Sequence, residues 1–580
     1  MYDLIIRNGT IVDGSGAKPF IGDIAINGNT IAQIGQIEGQ AKQIIDAQGK
    51  IVTPGFVDIH THYDGQVTWD PLLSPSSNHG VTTVVFGNCG VGFAPVKPGE
   101  ENRLIELMEG VEDIPGAALS EGIDWTWETF PEYLDTVEKA DMCIDVGAQV
   151  PHAPVRTYVM GDRGSNNEPA SKDDIDAMTL IVKEGIAAGA LGFSTSRTIM
   201  HKALDGTPMP GTFAAEDEIF GIGRALKELG VGLYEFAPAG SAGEDIIAPK
   251  KELDLMVRLS KQIQRPVSFA LLQVEPAPDL WRELMDLSAD AVAEGAQVFP
   301  QIAGRPFGML MGLQTTVHPL LASPTYQSIA HLPLAERVIE LRKAETKTNI
   351  ISELAADQDQ AVMNLTGGFG KFFPMGNPPN YEPAPEESIE ALSKAQGCDP
   401  MEMVYDTLLL QEGKELILYP ILNYAAGNCD PIYEMLHHPR GALGLGDGGA
   451  HCGVICDASI PTFMLTHWVR DRTRGPRLPI EFAVKRMTKD TADLYGLGDR
   501  GTIQEGMKAD INIINMEALT LHPPEVLFDL PAGGKRLFQD ASGYCATIVS
   551  GEVILQNGKP TGAQPGKLIR GARDNHRATA

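Results

Sequence analysis

Apolar positions along the 580-residue chain follow two different periods. Near both ends they come in short runs broken by tight-turn residues. "DLIIRNGTIVDG" and "IAINGNTIAQIG" set Asn8-Gly9 and Asn27-Gly28 between apolar runs. Asn-Gly suits the positive φ angles of a two-residue hairpin. "ADINIINM" from Ala509 and "YCATIVSGEVILQNGKP" from Tyr544 repeat the style. The ends resemble each other more than they resemble the middle. That pattern predicts one β-rich domain built from both termini, residues 1–53 and 491–580, with the middle inserted between them.

Between the ends, short apolar strands alternate with helical spacing. Strands are predicted at "GFVDIH", "VTTVVFG", "CIDVGA", "GALGFST", "GVGLYEF", "PVSFALL", "AQVFPQI" and "ALGLGD". Stretches such as "KDDIDAMTLIVKEGIAAG" and "EDEIFGIGRALKELG" between them carry apolar residues at helical spacing. This alternation predicts an α/β fold, a (β/α)8 TIM-like barrel over residues 54–490. A doubly wound open sheet is the alternative, but no G-x-G-x-x-G follows an early strand. Residues 308–415 break the rhythm with Pro, Met and Gly. A bare loop of that length is uncommon in a compact domain, so an inserted subdomain is expected there.

Composition narrows the class. A formal net charge of −30 disfavours nucleic acid and anionic membranes as partners. No apolar run has the ~18 to 20 residues of a membrane span. "MYDLIIRNGT" lacks the marks of a signal peptide. A cytoplasmic protein is therefore expected. A small-molecule substrate and a homo-oligomer are further expectations. Seven scattered cysteines suggest no disulfide framework.

Candidate chemistry lies at strand ends. In "GFVDIHTHYDG", His60 and His62 stand two apart, so they project the same way from the end of the first barrel strand. Barrel active sites form at that end. Two such imidazoles suit a metal, although paired loop histidines are often only solvated. Cys89 ends the second strand in "FGNCGVGF". It reads either as a buried structural thiol or as a thiolate ligand. Asp447 ends the eighth strand in "LGLGDGGAHCG". A closed barrel puts strand eight beside strand one, where a carboxylate can bind metal or carry a proton. Capping the next helix is its plainer role.

Taken together, "DLIIRNGTIVDGSG", "IVTPGFVDIHTHYDGQVTWDP", "GVTTVVFGNCGVGFAP", "VPHAPVRTYVMG", "GALGFSTSRT", "HHPRGALGLGDGG" and "GTIQEGMKADINII" resemble the amidohydrolase superfamily, in its N-acyl-D-amino-acid deacylase branch. The resemblance implies a metal-bearing barrel, a β-sandwich from both termini, and hydrolysis of a C–N bond. It implies His60, His62 and Cys89 as metal ligands, and Asp447 as catalytic residue and possible fourth ligand. The branch carries a Tyr-x-x-His-x-Arg pattern at strand five and Ser-His-x-Lys at strand six. Here Phe236 and Pro238 align with the first His and Arg, and Leu271 and Gln273 with the second His and Lys. Strand four holds no lysine to bridge two metals. One zinc per chain is therefore expected. Glu235, His152 or His451 are candidate replacement ligands or proton carriers. His152, Arg197, Arg305 and His451 are candidates for substrate contact. Two other readings stay open: a non-catalytic descendant acting in binding or assembly, and a metal-free His/Asp hydrolase.

Overall fold

A computed structural model describes residues 1–356 and 368–571. Eight parallel strands run in the order in which the sequence places them: Phe56–Asp58, Val81–Phe86, Asp145–Pro151, Gly192–Ser196, Leu233–Ala237, Val267–Ala270, Val298–Ile302 and Ala442–Leu443. Here they are called barrel strands one to eight. Their apolar runs are buried on both faces, as helix-covered parallel strands require. Strands one and eight meet just past their ends. The amide of His62 donates to the carbonyl of Gly448 at 2.7 Å, and that of Asp447 donates to the carbonyl of His60 at 3.0 Å. Gly448 must be a glycine here, because a Cβ would stand 2.6 Å from Oγ of Ser76 and 2.8 Å from the hydroxyl of Tyr63.

Helices form where the spacing predicts them. Ser171 caps helix Lys172–Ala187, accepting from the amide of Asp174 while the Asp174 carboxylate accepts in return. Helix Glu216–Leu229 stops at Gly230, whose φ of 69° suits a left-handed cap.

The two termini share one nine-stranded sheet. Strand Ile51–Pro54 pairs antiparallel with Ile511–Ile514, joining the N-terminal strands to the C-terminal ones. Ile6, Ile24, Val52, Ile511 and Ile548 fill its core. The expected hairpin forms one residue along, with Asn27 paired to Thr30 and Gly28-Asn29 making the turn. Asn8-Gly9 does not. It lies inside strand Tyr2–Ile11 as a bulge, with Asn8 at φ 59°. Packing decides this, since a Cβ on Gly9 would meet Cγ2 of Val52 at 2.5 Å. Between strands seven and eight, strands Phe307–Met311, Phe373–Pro374 and Ile417–Leu422 form a small sheet. With helices such as Leu334–Leu341 and Pro400–Leu408 it encloses a separate core around Leu341, Ile350, Phe372 and Leu408. Among the described residues, no helix is long and apolar enough to cross a membrane.

A buried charge cluster ties the C-terminal segment to the floor of the barrel. Asp145, the first residue of strand three, accepts from Nη1 of Arg500 at 2.7 Å and the amide of Lys567 at 3.0 Å, and pairs with Nζ of Lys508 at 2.9 Å. Burial alone would raise the pKa of Asp145; Lys508 and Arg500 overcome it and hold it down at about 2. Asp145→Asn removes the anion that Arg500 and Lys508 share, leaving them Asp499 and Asp510, and should cost about 2 kcal/mol at neutral pH. The folded pKa lies below the ordinary one, so this stabilisation is present above about pH 4 and lost as pH falls towards 2. Urea unfolding of both proteins across that range should show the gap closing. A gap that ignores pH would show that the charge is not the tie.

Candidate metal centre and active site

All four residues of the expected centre come together at the C-terminal end of the barrel. Nε2 of His60 lies 3.4 Å from Sγ of Cys89 and 3.5 Å from Oδ1 of Asp447. Nε2 of His62 lies 3.8 Å from the same Asp447 oxygen. One donor atom from each of His60, His62 and Cys89 falls within 4.8 Å of the others. A tetrahedral zinc with bonds of about 2.0 to 2.3 Å sets its ligand atoms roughly 3.3 to 3.8 Å apart. The donor set therefore fits one such ion. His60 is also oriented for it, since its Nδ1 is held at 2.8 Å by Oε1 of Gln301 and its Nε2 is left to point inward.

The electrostatics point the same way. Burial pushes the His60 imidazole down to about 4, and His62 further below its ordinary value. Both are neutral, as ligands must be. Burial pushes the Cys89 thiol and the Asp447 carboxyl well up, and neighbouring carboxylates add to it. Glu235 is raised to about 8 by burial. Ionising this group of acids needs a cation among them.

The backbone is constrained here as well. Cys89, Asp447 and His451 adopt left-handed φ angles of 55°, 45° and 53°. Such angles cost roughly 1 kcal/mol or more in non-glycine residues. Each is held through its amide: Cys89 by Oε2 of Glu235 at 3.0 Å, Asp447 by the carbonyl of His60, and His451 by the carbonyl of Glu112.

The other nominated residues divide. His451 belongs to the centre, with Nε2 3.9 Å from Oδ2 of Asp447. His152 does not. It is buried between Glu218, at 2.9 Å, and Thr195, at 2.8 Å. Arg197 is bound to Glu252 at 2.8 Å and to the carbonyl of Ala214 at 2.7 Å. Arg305 is buried against Asp457 at 2.7 Å, and its guanidinium stacks 3.9 Å from the ring centroid of Tyr381. Each is committed to an internal partner, so none is free to anchor a substrate.

Strand five also corrects the alignment. Glu235 reaches Cys89 on the non-adjacent strand two, so it points into the barrel. By alternation Phe236 points out to the helices, stacked on Tyr234 at 4.8 Å. Counted from Tyr234, the pattern's His and Arg places fall on Ala237 and Ala239, and Ala237 ends strand five on the same inward face as Glu235, whose Oε1 is buried and without a hydrogen-bond partner. On strand six, Ser268 bonds to the inward Gln301, and Leu271 continues the outward register of Val267 and Phe269.

Sequence reasoning missed three residues. Gln301 sits at an inward position of strand seven. Glu112 ends a helix and belongs to no motif. His201 follows strand four, where Nδ1 meets Oγ of Ser196 at 2.9 Å. A histidine just beyond a strand end was the one available signal for it.

Glu382, Cys429 and His467 also bring donor atoms within 4.8 Å of one another. There Arg472 already grips Glu382 through Nε and Nη2, at 3.0 and 2.9 Å, and supplies the positive charge.

Comparison with known proteins bears on the family and the fold. The amidohydrolase family model matches residues 43–555. An uncharacterised protein of Mycobacterium tuberculosis is 26% identical over 596 residues, covering 96% of this chain and 92% of that one. D-aminoacylase from Alcaligenes xylosoxydans xylosoxydans is 24% identical over 573 residues, covering 98% and 97%. Among solved structures, a D-aminoacylase studied for its binuclear metal centre superposes with a TM-score of 0.66 at 23% identity, covering 99% and 100% of the two chains. N-acyl-D-glutamate deacylase from Bordetella bronchiseptica, complexed with zinc and a phosphonate inhibitor, gives 0.63 at 22%, covering 98% and 99%. At these identities the two structures share the fold.

If Phe236 is a core residue and not a vacated ligand position, Phe236→Ala should cost about 3 kcal/mol in unfolding free energy and leave metal content unchanged. Loss of metal at unchanged stability would reverse the assignment.

Proposed function

The chain belongs to the amidohydrolase family, and we propose that it is a metal-dependent hydrolase of amide-type carbon–nitrogen bonds. The observation that carries this reading is the convergence of His60, His62 and Cys89 beside Asp447. His60 and His62 through Nε2, and Cys89 through Sγ, would hold one zinc-like ion, with Asp447 as a looser fourth partner. When bound, such an ion polarises a carbonyl and makes water nucleophilic at neutral pH.

The protein's own groups do the rest. Asp447 takes a proton from the attacking water and delivers it to the leaving nitrogen. Its left-handed backbone and its amide bond to His60 fix the carboxylate at the junction of strands one and eight. The deeply buried histidines limit bulk water around the reacting bond.

The substrate reading follows from charge. A desolvated carboxylate needs a cationic partner, and an Arg fork is the best one. Arg197 and Arg305 are committed to Glu252 and Asp457. The strongest charged influences on Asp447 and Glu112 are themselves carboxylates. The preferred substrate therefore has an amide-like bond but no free α-carboxylate beside it. This separates the chain from relatives that are named for N-acyl-D-amino acids.

Elemental analysis after zinc-replete expression should find about one tightly held ion per chain, lost in His60→Ala and His62→Ala. Two ions, or none, would overturn the ligand set. Asp447→Asn should fold normally and lose about 10²-fold or more in kcat; near-normal turnover would reduce Asp447 to a structural role. Matched assays of N-acetyl-D-amino acids against their amides or esters should give the higher kcat/KM for the uncharged compounds. Clear preference for the free acids would defeat the substrate reading.

A further inference from the structure

Glu112 is the last residue of helix Glu101–Glu112, which follows barrel strand two. Its side chain is only 2% exposed and lies against two histidines of the centre. Oε1 is 3.5 Å from Nδ1 of His62, and Oε2 is 3.6 Å from Nε2 of His451. Both Oε1 of Glu112 and Nδ1 of His62 are buried without any other hydrogen-bond partner. Two such atoms left unmet would cost about 1 to 3 kcal/mol each. They face each other, and a shift of less than about 1 Å brings them to the 2.7–2.9 Å of a charge-assisted bond.

The main chain delivers this carboxylate. The Glu112 carbonyl accepts from the amide of His451. Asp113 then turns into the left-handed region at φ 52°, and its Oδ2 accepts from the amide of Gly453 at 2.8 Å. The helix end is thereby docked on the turn that follows Asp447. Gln301 performs the matching task for His60, holding Nδ1 at 2.8 Å.

We infer that Glu112 is a positioning residue that holds His62 through Nδ1 and so presents Nε2 to the metal. The inference rests on the metal-centre reading above. A merely structural Glu112 would act through its backbone bonds, which any side chain preserves. A positioning Glu112 acts through its carboxylate. Removing an outer carboxylate of this kind typically weakens metal binding by about 10- to 100-fold.

The test is zinc titration of the full-length protein against a competing chelator, for wild type, Glu112→Ala and Glu112→Gln. The unfolding midpoint of each metal-free protein and the visible spectrum of each cobalt-loaded form are measured alongside. Glu112→Ala should bind zinc about 10- to 100-fold more weakly. Glu112→Gln, which keeps an acceptor oxygen, should lose less. Metal-free stability should not fall, and the cobalt spectrum should keep its ligand number. Wild-type affinity in Glu112→Ala overturns the inference. So does a cobalt spectrum missing one ligand, which would make Glu112 a ligand itself, or a drop in metal-free stability that accounts for the weaker binding. A wild-type protein that takes up no zinc overturns the metal-centre reading, and this inference falls with it.

Discussion

Two backbone hydrogen bonds between the ends of strands one and eight organise the molecule: His62 to Gly448 and Asp447 to His60. Parallel strands cannot be joined by a short turn, so each needs a crossover, and closing the ring brings the first crossover back to the last. Where the ring closes, two histidines and an aspartate far apart in sequence become neighbours. The glycines around Asp447 follow from the same closure. A Cβ on Gly446 would meet Oδ2 of Asp58 at 2.4 Å, and one on Gly448 would meet Ser76. The local sequence "GLGDGG" is therefore a packing requirement of the ring.

The price of this arrangement is buried acidity. Asp58, Asp64, Glu112, Glu235 and Asp447 all have pKa values raised chiefly by burial. Two buried acids outside this group are answered by arginine, Asp145 by Arg500 and Asp457 by Arg305. The contrast separates two uses of a buried carboxylate. Paired with a cationic side chain it fastens elements together; gathered with neutral imidazoles it leaves a deficit of positive charge for something else to fill.

Period and turn chemistry made much of this legible. The eight strands, the helices between them and the shared terminal sheet follow from runs of apolar residues that a one-dimensional reading can count. His60, His62, Cys89 and Asp447 could be grouped because topology assigns strand ends to one face. Facing was harder. Phe236 and Glu235 differ by one position, and a one-residue slip exchanges lumen for helix layer. Asn8-Gly9 carries the composition of a turn but is a bulge, because the choice was made by contact with Val52 on another strand. Glu112 and Gln301 were out of reach for the same reason. Each matters through a partner that is remote in sequence, His62 and His60 respectively, and no local pattern records such a pair.

The nine-stranded sheet has a consequence in time. Strand Ile51–Pro54 has strand Ile511–Ile514 as a partner, and that partner is synthesised only after the whole barrel. During translation the N-terminal strands therefore emerge with one edge open, and open edges invite pairing with other chains. The emerging chain can bury part of that surface in its own hairpin of Phe20–Asn27 and Thr30–Gly35. The final docking, however, has to wait for release of the C-terminal residues. Completion of the sheet thus reports that the barrel between its two halves has been made in full.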